Sequence, residues 1–221
     1  MKRILEPELI EDDALALACA RADFAEANGI FLRFFGELAG SDFAGCALDL
    51  GCGPGAIVLR LAQEHPGGTV HGLDGSAAMI RLAEAARRAA PACADRVAFV
   101  RDLLPGPTLP RERYDAVLSN SLLHHLALPE LLWATIRRRA MPGAPVLVMD
   151  LFRPATAAQV REIVAQYAAD ASPLLRHDFA NSLHAAFEPH EIRQQLAVTG
   201  LSHLSVRVVS DRHVLISGRL D

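Results

Sequence analysis

The amino-acid sequence predicts an α/β protein in which a seven-stranded, mostly parallel sheet carries helices on both faces and ends in an antiparallel hairpin. Two observations support this fold class. From residue 45 onward, short β-rich segments alternate with helical segments, which is typical of a parallel sheet with helical crossovers. The last two β-rich segments, 204–209 and 213–217, are separated by a short turn at Ser210-Asp211, which indicates a hairpin.

The region before the first strand is helical in composition. Residues 11–28 are expected to form one helix, and a second helix follows with Ile30, Phe31, Phe34, Phe35 and Leu38 on one face. Residues 1–40 are therefore interpreted as a helical prologue to a sheet domain spanning 41–221. The prologue could pack against the core, or it could fold over a ligand site as a lid.

Five β-rich segments would supply the parallel strands: 45–50, 69–73, 96–100, 114–118 and 145–150. Ser76 can cap a helix with apolar residues at helical spacing, and Pro91 can end that helix. A further helical stretch is expected to run through Arg139. Residues 154–187 read as a helical insertion before the terminal hairpin.

Polar residues stand at or just past the end of each predicted parallel strand. They are Asp49, Asp74, Asp102, Asn120 and Asp150. Right-handed crossovers place the carboxyl ends of parallel strands on one edge of the sheet. Ligands of open α/β sheets bind beyond that edge, so these side chains predict a binding site there.

The first strand runs into a glycine-rich turn, Gly51-Cys52-Gly53-Pro54-Gly55, and then into a helix. Glycine suits such a turn because a side chain would keep the backbone away from a ligand lying across the strand ends. Strand, turn and helix together form the nucleotide-binding corner of a Rossmann-like sheet. A glycine turn alone is a weak indication, and its meaning depends on the motifs that follow it.

Five motifs in order make the chain similar to a known family. They are Leu48–Gly55, Gly72–Ser76, Phe99–Asp102, Tyr114–Asn120 together with Leu123–Leu126, and Met141–Ala144. Over roughly residues 40–218 the chain resembles the class I S-adenosylmethionine-dependent methyltransferases that act on small molecules. The resemblance implies S-adenosylmethionine as cofactor and S-adenosylhomocysteine as product. It leaves the acceptor unspecified.

The resemblance also implies roles for the matching residues. Asp49 would balance the methionine ammonium group, Asp74 would accept hydrogen bonds from both ribose hydroxyls, and Asp102 would receive the adenine amino group. Gly75 stands where a bulkier residue often shields the adenine, and Met79 could be a core residue instead. The implied cofactor-binding set is Asp49, Gly51, Cys52, Gly53, Gly55, Asp74, Gly75, Met79, Asp102, Leu103 and Asn120.

His124 and His125 are the candidate catalytic residues, because they follow the strand that ends at Asn120, where the methyl group should lie. Imidazole titrates near neutrality and can accept a proton from the methyl acceptor. The alternative is that the two histidines only position the following helix. Asp150 could touch a ligand or cap the helix that follows Pro154.

The candidate acceptor-binding residues come from the prologue and the insertion. They are Phe24, Asn28, Tyr167, Arg176 and Asn181. In the resembling family this insertion often contributes to the acceptor pocket or a lid, and Arg176 could then bind an acidic acceptor. A solvated helical face is the alternative.

Charge and residue types limit the partners. The net charge is −4 at pH 7 and aromatic residues make up 5 % of the chain, which disfavours nucleic acid as a partner. The runs Arg87–Arg88 and Arg137–Arg139 fall in the last turns of predicted helices, where cations interact favourably with the helix dipole. The four cysteines lack zinc-type spacing, so no metal site is predicted. We expect a cytoplasmic protein that meets no membrane, and the sequence leaves a homodimer open.

Three other functions remain as alternatives at this point. The first is an RNA methyltransferase, and the second is a protein that binds S-adenosylmethionine without catalysis. The third is a nicotinamide-dependent hydride-transfer enzyme, since Gly51, Gly53 and Ala56 also fit the loose dinucleotide pattern. The short chain and the terminal hairpin disfavour this third function.

Overall fold

Seven strands form one sheet in the order β3-β2-β1-β4-β5-β7-β6 in a computed structural model that describes all 221 residues. The strands are β1 Cys46–Leu50, β2 Thr69–Asp74, β3 Val97–Arg101, β4 Ala116–Asn120, β5 Pro145–Leu151, β6 Ser205–Val208 and β7 His213–Arg219. Adjacent strands among β1 to β5 pair in parallel, and β7 runs antiparallel to both β5 and β6. The predicted fold class is confirmed.

Helices cover both faces of this sheet. They are α1 Asp13–Arg21, α2 Ala25–Ala39, α3 Ala56–Glu64, α4 Ala77–Arg88, α5 Glu130–Arg139, α6 Ala157–Tyr167, α7 Pro173–Ala185 and α8 Pro189–Val198. One face is packed by α5 and α8, with Trp133 and Ile192 fully buried. The other face is packed by α2 and α3, with Phe31 and Leu61 fully buried. The apolar stripe predicted for α2 thus lies in the core.

The N-terminal helical region differs from the prediction. The single helix expected over 11–28 is wrong, because α1 ends at Arg21 and α2 begins at Ala25. Ala22 is extended, and the Asp23 carboxylate accepts a hydrogen bond from the Ala25 amide, so a side chain interrupts the helix and starts the next one.

The long helix expected before Arg139 is also interrupted. A short 3-10 turn spans Leu123–His125, the chain is then non-helical, and α5 begins only at Glu130, after Pro129. The carboxylate of Asp150 accepts hydrogen bonds from the backbone amides of Leu123 and His124 and so supports this turn.

Two further details depart from the sequence-based expectation. Asp150 does not cap α6, because Thr156 fills that position with a capping box. In the terminal hairpin, residues 209–212 join the strands instead of a two-residue turn. The Ser210 hydroxyl accepts hydrogen bonds from the amides of Arg212 and His213 and stabilises this longer loop.

The first twelve residues, here called the N-terminal strap, form neither helix nor strand and cross the carboxyl edge of the sheet. At one end the Ile4 amide donates to the carbonyl of His184 in α7. At the other end the hydroxyl of Ser76, the cap of α4, donates to the carbonyl of Ile10. The strap therefore connects the two ends of the predicted ligand site. None of the helices has the length and apolar character required to cross a lipid bilayer.

Candidate active site

The glycine turn after β1 leaves an open surface at the sheet edge. The amides of Gly51 and Cys52 donate to the carbonyl of Leu73, at 2.8 and 3.0 Å, which fixes the turn against β2. Gly53 has a φ of +52°, a conformation that favours glycine, and no atom lies within 4 Å of the place where a Cβ would stand. A ligand can therefore lie directly against the backbone at Gly53.

Two other members of the predicted cofactor set face the protein interior. A Cβ at Gly55 would lie 2.5 Å from the ring of Phe99, so this glycine allows α3 to pack closely on the sheet. The Cys52 side chain is buried against Gly72 of β2. These two residues could contact a ligand only through their backbone.

Asp74 lies at the end of β2 and is held by backbone amides. One carboxylate oxygen accepts a hydrogen bond from Gly53 at 2.9 Å, and the other accepts one from Ser76 at 2.8 Å. Burial raises the pKa of Asp74, and these two hydrogen bonds oppose that shift. Because a carboxylate oxygen has two lone-pair sites, both oxygens keep one for a ligand, which suits a diol.

Asp49, in β1, is a buried carboxylate with a missing partner. Its side chain is 1 % exposed and its Oδ1 atom makes no hydrogen bond. Burial, and then the nearby charge of Asp74, raise its pKa to about 7. The Oδ1 atom of Asn120, at the end of neighbouring β4, is also buried without a partner. Buried polar atoms are nearly always satisfied in folded proteins, so this pair indicates a cationic or hydrogen-bond-donating ligand group.

Asp102, just past β3, organises the loop that follows it. Its carboxylate accepts hydrogen bonds from the Leu103 amide at 2.9 Å and from the amide and hydroxyl of Thr108 at 2.9 and 2.7 Å. Burial is the largest single influence and raises the pKa of Asp102, but the hydrogen bonds from Thr108 and Leu103 together outweigh it, so the pKa is lowered. The Leu103 side chain, with Leu9 of the strap, lies 2.7 Å from the Cβ position of Gly75 and covers that glycine.

Met79 packs between helices. It is 6 % exposed and belongs to a small apolar cluster with Ala16 of α1 and Ala78 of α4, against which Ile10 of the strap also lies. These contacts attach α1 to α4. An additional contact between Met79 and adenine stays a prediction.

His124 is buried between two carboxylates. Its Nδ1 lies 2.5 Å from Asp150 Oδ1, and its Nε2 lies 3.4 Å from Oε1 of Glu6 in the strap. The same Glu6 atom lies 3.1 Å from Nδ1 of His125, and the two imidazole rings are tilted, with centroids 4.2 Å apart. Both nitrogens of His124 are therefore already engaged inside the protein.

The titration of these groups follows from their surroundings. Burial alone would lower the pKa of His124, but the carboxylates of Asp150 and Glu6 raise it above its ordinary value. Burial and the neighbouring His124 lower the pKa of His125 to about 3, so the His125 ring is neutral near pH 7. Sequence reasoning missed Glu6, because it lies in a segment without secondary-structure periodicity and far along the chain from the histidines.

The predicted acceptor-binding residues of the insertion lie in different local settings. The Tyr167 hydroxyl donates to Asp211 at 2.7 Å, and the guanidinium of Arg212 lies 3.2 Å from the centre of the Tyr167 ring. Tyr167 is thus held against the hairpin loop. Arg176 donates to the carbonyl of Ala169 and lines an open cleft between α6 and α7. No hydrogen bond joins Tyr167 to Arg176.

The other three predicted acceptor residues lie in two places, with Phe24 and Asn28 at the start of α2 and Asn181 in α7. Phe24 precedes α2 and is 51 % exposed, and its carbonyl accepts from the amide of Asn28. Asn181 is half-buried in α7.

The two arginine runs, 87–88 and 137–139, contribute side-chain contacts within the protein. Arg139 is 4 % exposed and donates to the carbonyls of Pro105 and Gly106, so it holds the loop after β3. Arg87 pairs with Glu84 at 2.9 Å on the same helix. One guanidinium group of each run is therefore engaged by a protein partner.

Comparison with curated sequences identifies methyltransferase relatives. A family model described as a methyltransferase domain matches residues 48–146. An uncharacterized methyltransferase of Mycobacterium tuberculosis is 29 % identical over 109 residues, which cover 49 % of this chain and 52 % of that protein. A ubiquinone biosynthesis O-methyltransferase of Klebsiella pneumoniae is 28 % identical over 152 residues, 68 % of this chain and 61 % of that protein. The chain thus spans about half to three-fifths of these relatives.

Solved structures share the fold over nearly the whole chain. A SAM-dependent methyltransferase from Aquifex aeolicus superimposes with a TM-score of 0.70 at 16 % identity, covering 95 % of this chain and 99 % of that one. The plantazolicin methyltransferase BamL, solved with SAH, has a TM-score of 0.69 at 15 % identity and coverages of 88 % and 70 %. The open glycine turn, the diol-compatible Asp74 and the unpartnered Asp49 all fit S-adenosylmethionine, the cofactor of this family. The family-model match, the methyltransferase relatives and the shared fold support a class I S-adenosylmethionine-dependent methyltransferase.

Proposed function

We propose that the protein transfers a methyl group from S-adenosylmethionine to a small-molecule nucleophile by in-line displacement. The observation that carries this proposal is the buried, unpartnered carboxylate of Asp49 beside the open backbone at Gly53. Burial alone favours the protonated, neutral form of Asp49, whereas a cation bound beside it would favour the carboxylate. The cofactor carries an ammonium group that can be this cation. Relatives named for ubiquinone and plantazolicin support a small-molecule acceptor.

The cofactor would lie along β1 to β4. In this arrangement Asp49 and Asn120 face the methionine portion, and Asp74 accepts hydrogen bonds from the ribose hydroxyls. Asp102 and the amide of Leu103 would meet the adenine. The remaining members of the proposed set contribute backbone or packing surface: Gly51, Cys52, Gly53, Gly55, Gly75 and Met79.

Alignment is the main catalytic contribution that we propose. Holding the acceptor in line with the methyl–sulfur bond can lower the barrier by roughly 7–11 kcal/mol. A general base typically adds a factor of about 10²–10⁴, so a dedicated base is optional. We propose that His124 and His125 border the acceptor and take part in its activation, because they follow the strand that ends at Asn120.

The acceptor would be enclosed by two additions to the sheet. We propose that residues 1–40 act as a lid that brings Phe24 and Asn28 toward the acceptor, and that the insertion 154–187 contributes Tyr167, Arg176 and Asn181. Arg176 would suit an acceptor with an acidic group. We place this activity in the cytoplasm, in a monomer or a homodimer.

Two measurements test the proposal. Calorimetry with S-adenosylhomocysteine should show binding where NAD shows none, and a preference for NAD would contradict the cofactor assignment. Methyl transfer from labelled donor into a fractionated small-molecule extract should then label a product. Cofactor binding without any labelled product across the extract would favour a non-catalytic binding protein. Labelling of tRNA instead would favour an RNA acceptor.

A further inference from the structure

Three side-chain atoms that can bind a metal ion lie close together near the carboxyl ends of β4 and β5, although they come from distant parts of the chain. Glu6 Oε1 of the strap lies 3.4 Å from His124 Nε2 and 3.1 Å from His125 Nδ1. All three atoms lie within 4.8 Å of one another. The Glu6 side chain is 6 % exposed and that of His124 is 4 % exposed, so this is an interior cluster and not a solvated surface pair.

These separations suit a coordinated metal ion. With metal–ligand bonds of about 2.0–2.2 Å, adjacent ligand atoms lie roughly 2.8–3.1 Å apart in octahedral geometry and roughly 3.3–3.6 Å apart in tetrahedral geometry. The two separations from Glu6, 3.1 and 3.4 Å, each fall within one of these ranges. Two imidazoles and one carboxylate are also the donor set of known zinc sites that keep a fourth position open. Magnesium and calcium prefer all-oxygen surroundings and fit this set poorly.

Asp150 orients the ring of His124 from the side opposite Glu6. Its Nδ1 is paired with Asp150 Oδ1 at 2.5 Å, and the other Asp150 oxygen is fixed by the amide of Leu123 at 2.7 Å. A carboxylate on the remote nitrogen commonly fixes the tautomer and orientation of a metal-binding histidine. A metal ion bound to Nε2 of His124 and to Glu6 would take the place of the proton that otherwise joins these two groups, while the Nδ1 proton stays toward Asp150.

We propose that Glu6, His124 and His125 bind a divalent first-row transition metal ion of the zinc class. One ligand comes from the N-terminal strap and two come from the 3-10 turn after β4, so the ion would fasten the strap to the sheet edge. The site itself does not depend on the proposed function. If the metal ion also polarised an oxygen of the methyl acceptor at its fourth coordination position, that role would depend on the proposed function.

Metal titration of the full-length, chelator-stripped protein tests the site. We expect one equivalent of Zn²⁺ by calorimetry, and a Co²⁺ visible spectrum typical of bound rather than aqueous ion. Glu6→Gln and His125→Gln should each weaken Zn²⁺ binding at least tenfold, and Asp150→Asn should weaken it by about 10–100-fold. The matched control is His190→Gln, which removes an exposed histidine 3.3 Å from Glu188 and should leave the affinity unchanged.

A second readout addresses the strap. Zn²⁺ should slow hydrogen exchange in residues 1–12 of the wild-type chain, and this protection should be absent in Glu6→Gln. Failure of the wild type to bind a stoichiometric ion would overturn the proposal, as would equal Zn²⁺ affinity in Glu6→Gln and wild type. Neither result bears on cofactor binding, which the calorimetry with S-adenosylhomocysteine measures separately.

Discussion

The two halves of the sheet edge hold their carboxylates in opposite ways. On the β1–β2 side, Asp49 has an oxygen without a partner, and Asp74 keeps lone pairs available beside an open turn. On the β5 side, Asp150 is saturated by the amides of Leu123 and Leu151 and by the ring of His124. Asp49 and Asp74 thus keep hydrogen-bonding capacity for a further group, whereas the partners of Asp150 all lie within the chain.

The largest change in the free energy of unfolding is expected at Asp150, whose hydrogen-bond partners all lie within the chain. Asp150→Asn places an amide among buried donors and should lower the free energy of unfolding by about 3 kcal/mol, because those donors lose a charged acceptor. Urea unfolding followed by circular dichroism measures this. Asp42→Asn, at an exposed aspartate, is the control and should change stability by less than about 0.5 kcal/mol. Equal values for both variants would remove the contrast between the two halves.

Replacing Asp49 should raise the free energy of unfolding, whereas replacing Asp150 should lower it. Its pKa is about 7 in the folded protein and near 3.8 when unfolded, so the folded state binds the extra proton between these values. The stability linked to this proton is complete below about pH 4 and is lost progressively as pH rises to about 7. Asn cannot ionise, so Asp49→Asn should stabilise the cofactor-free protein relative to wild type at pH 8 more than at pH 5. Unfolding titrations at the two pH values check this, and a pH-independent difference would contradict it.

The same aspartate should also make cofactor binding depend on pH. The carboxylate of Asp49 is the form that pairs with an ammonium group, so affinity for S-adenosylhomocysteine should increase as pH rises through about 7. In Asp49→Asn this dependence should be lost and binding should be weaker at pH 8. Calorimetry across this pH range provides the measurement. Retained pH dependence in the variant would assign it to another group.

Within the cofactor half, Asp74 and Asp102 should differ. Asp74→Ala should weaken cofactor binding by at least about tenfold, since charge-assisted hydrogen bonds are worth roughly 1.5–3 kcal/mol. Asp102→Ala should weaken it less, because that carboxylate is already occupied by Leu103 and Thr108. Calorimetric Kd values for the two variants rank them. The reverse ranking would show that the adenine contact dominates.

The smallest effect is expected at Tyr167. Tyr167→Phe removes an exposed hydrogen bond to Asp211 and should change the free energy of unfolding by less than about 0.5 kcal/mol. If Tyr167 binds the acceptor, the variant should instead raise the KM for that acceptor while leaving cofactor affinity unchanged. Thermal unfolding and steady-state kinetics separate these two outcomes.

The contrast between the halves also explains what the sequence could predict. The cofactor half is encoded locally, because Asp49, Gly53 and Asp74 stand directly at strand ends and in a turn whose geometry requires glycine. The other half depends on a contact between Glu6 and His124, residues joined by no repeating pattern. The sequence pattern predicts Asp150 as a strand-end residue, but its role as support for the 3-10 turn follows from the packing of β5 beside β4.

The path of the first twelve residues has a kinetic consequence. Leu9 covers Gly75, and Ile10 accepts a hydrogen bond from Ser76, beside the carboxylate of Asp74 that we assign to the ribose. S-adenosylhomocysteine could not leave past Leu9 and Ile10 without breaking those contacts. Displacement of residues 9–10 would then precede product release, and product release, not the chemical step, would limit the turnover rate.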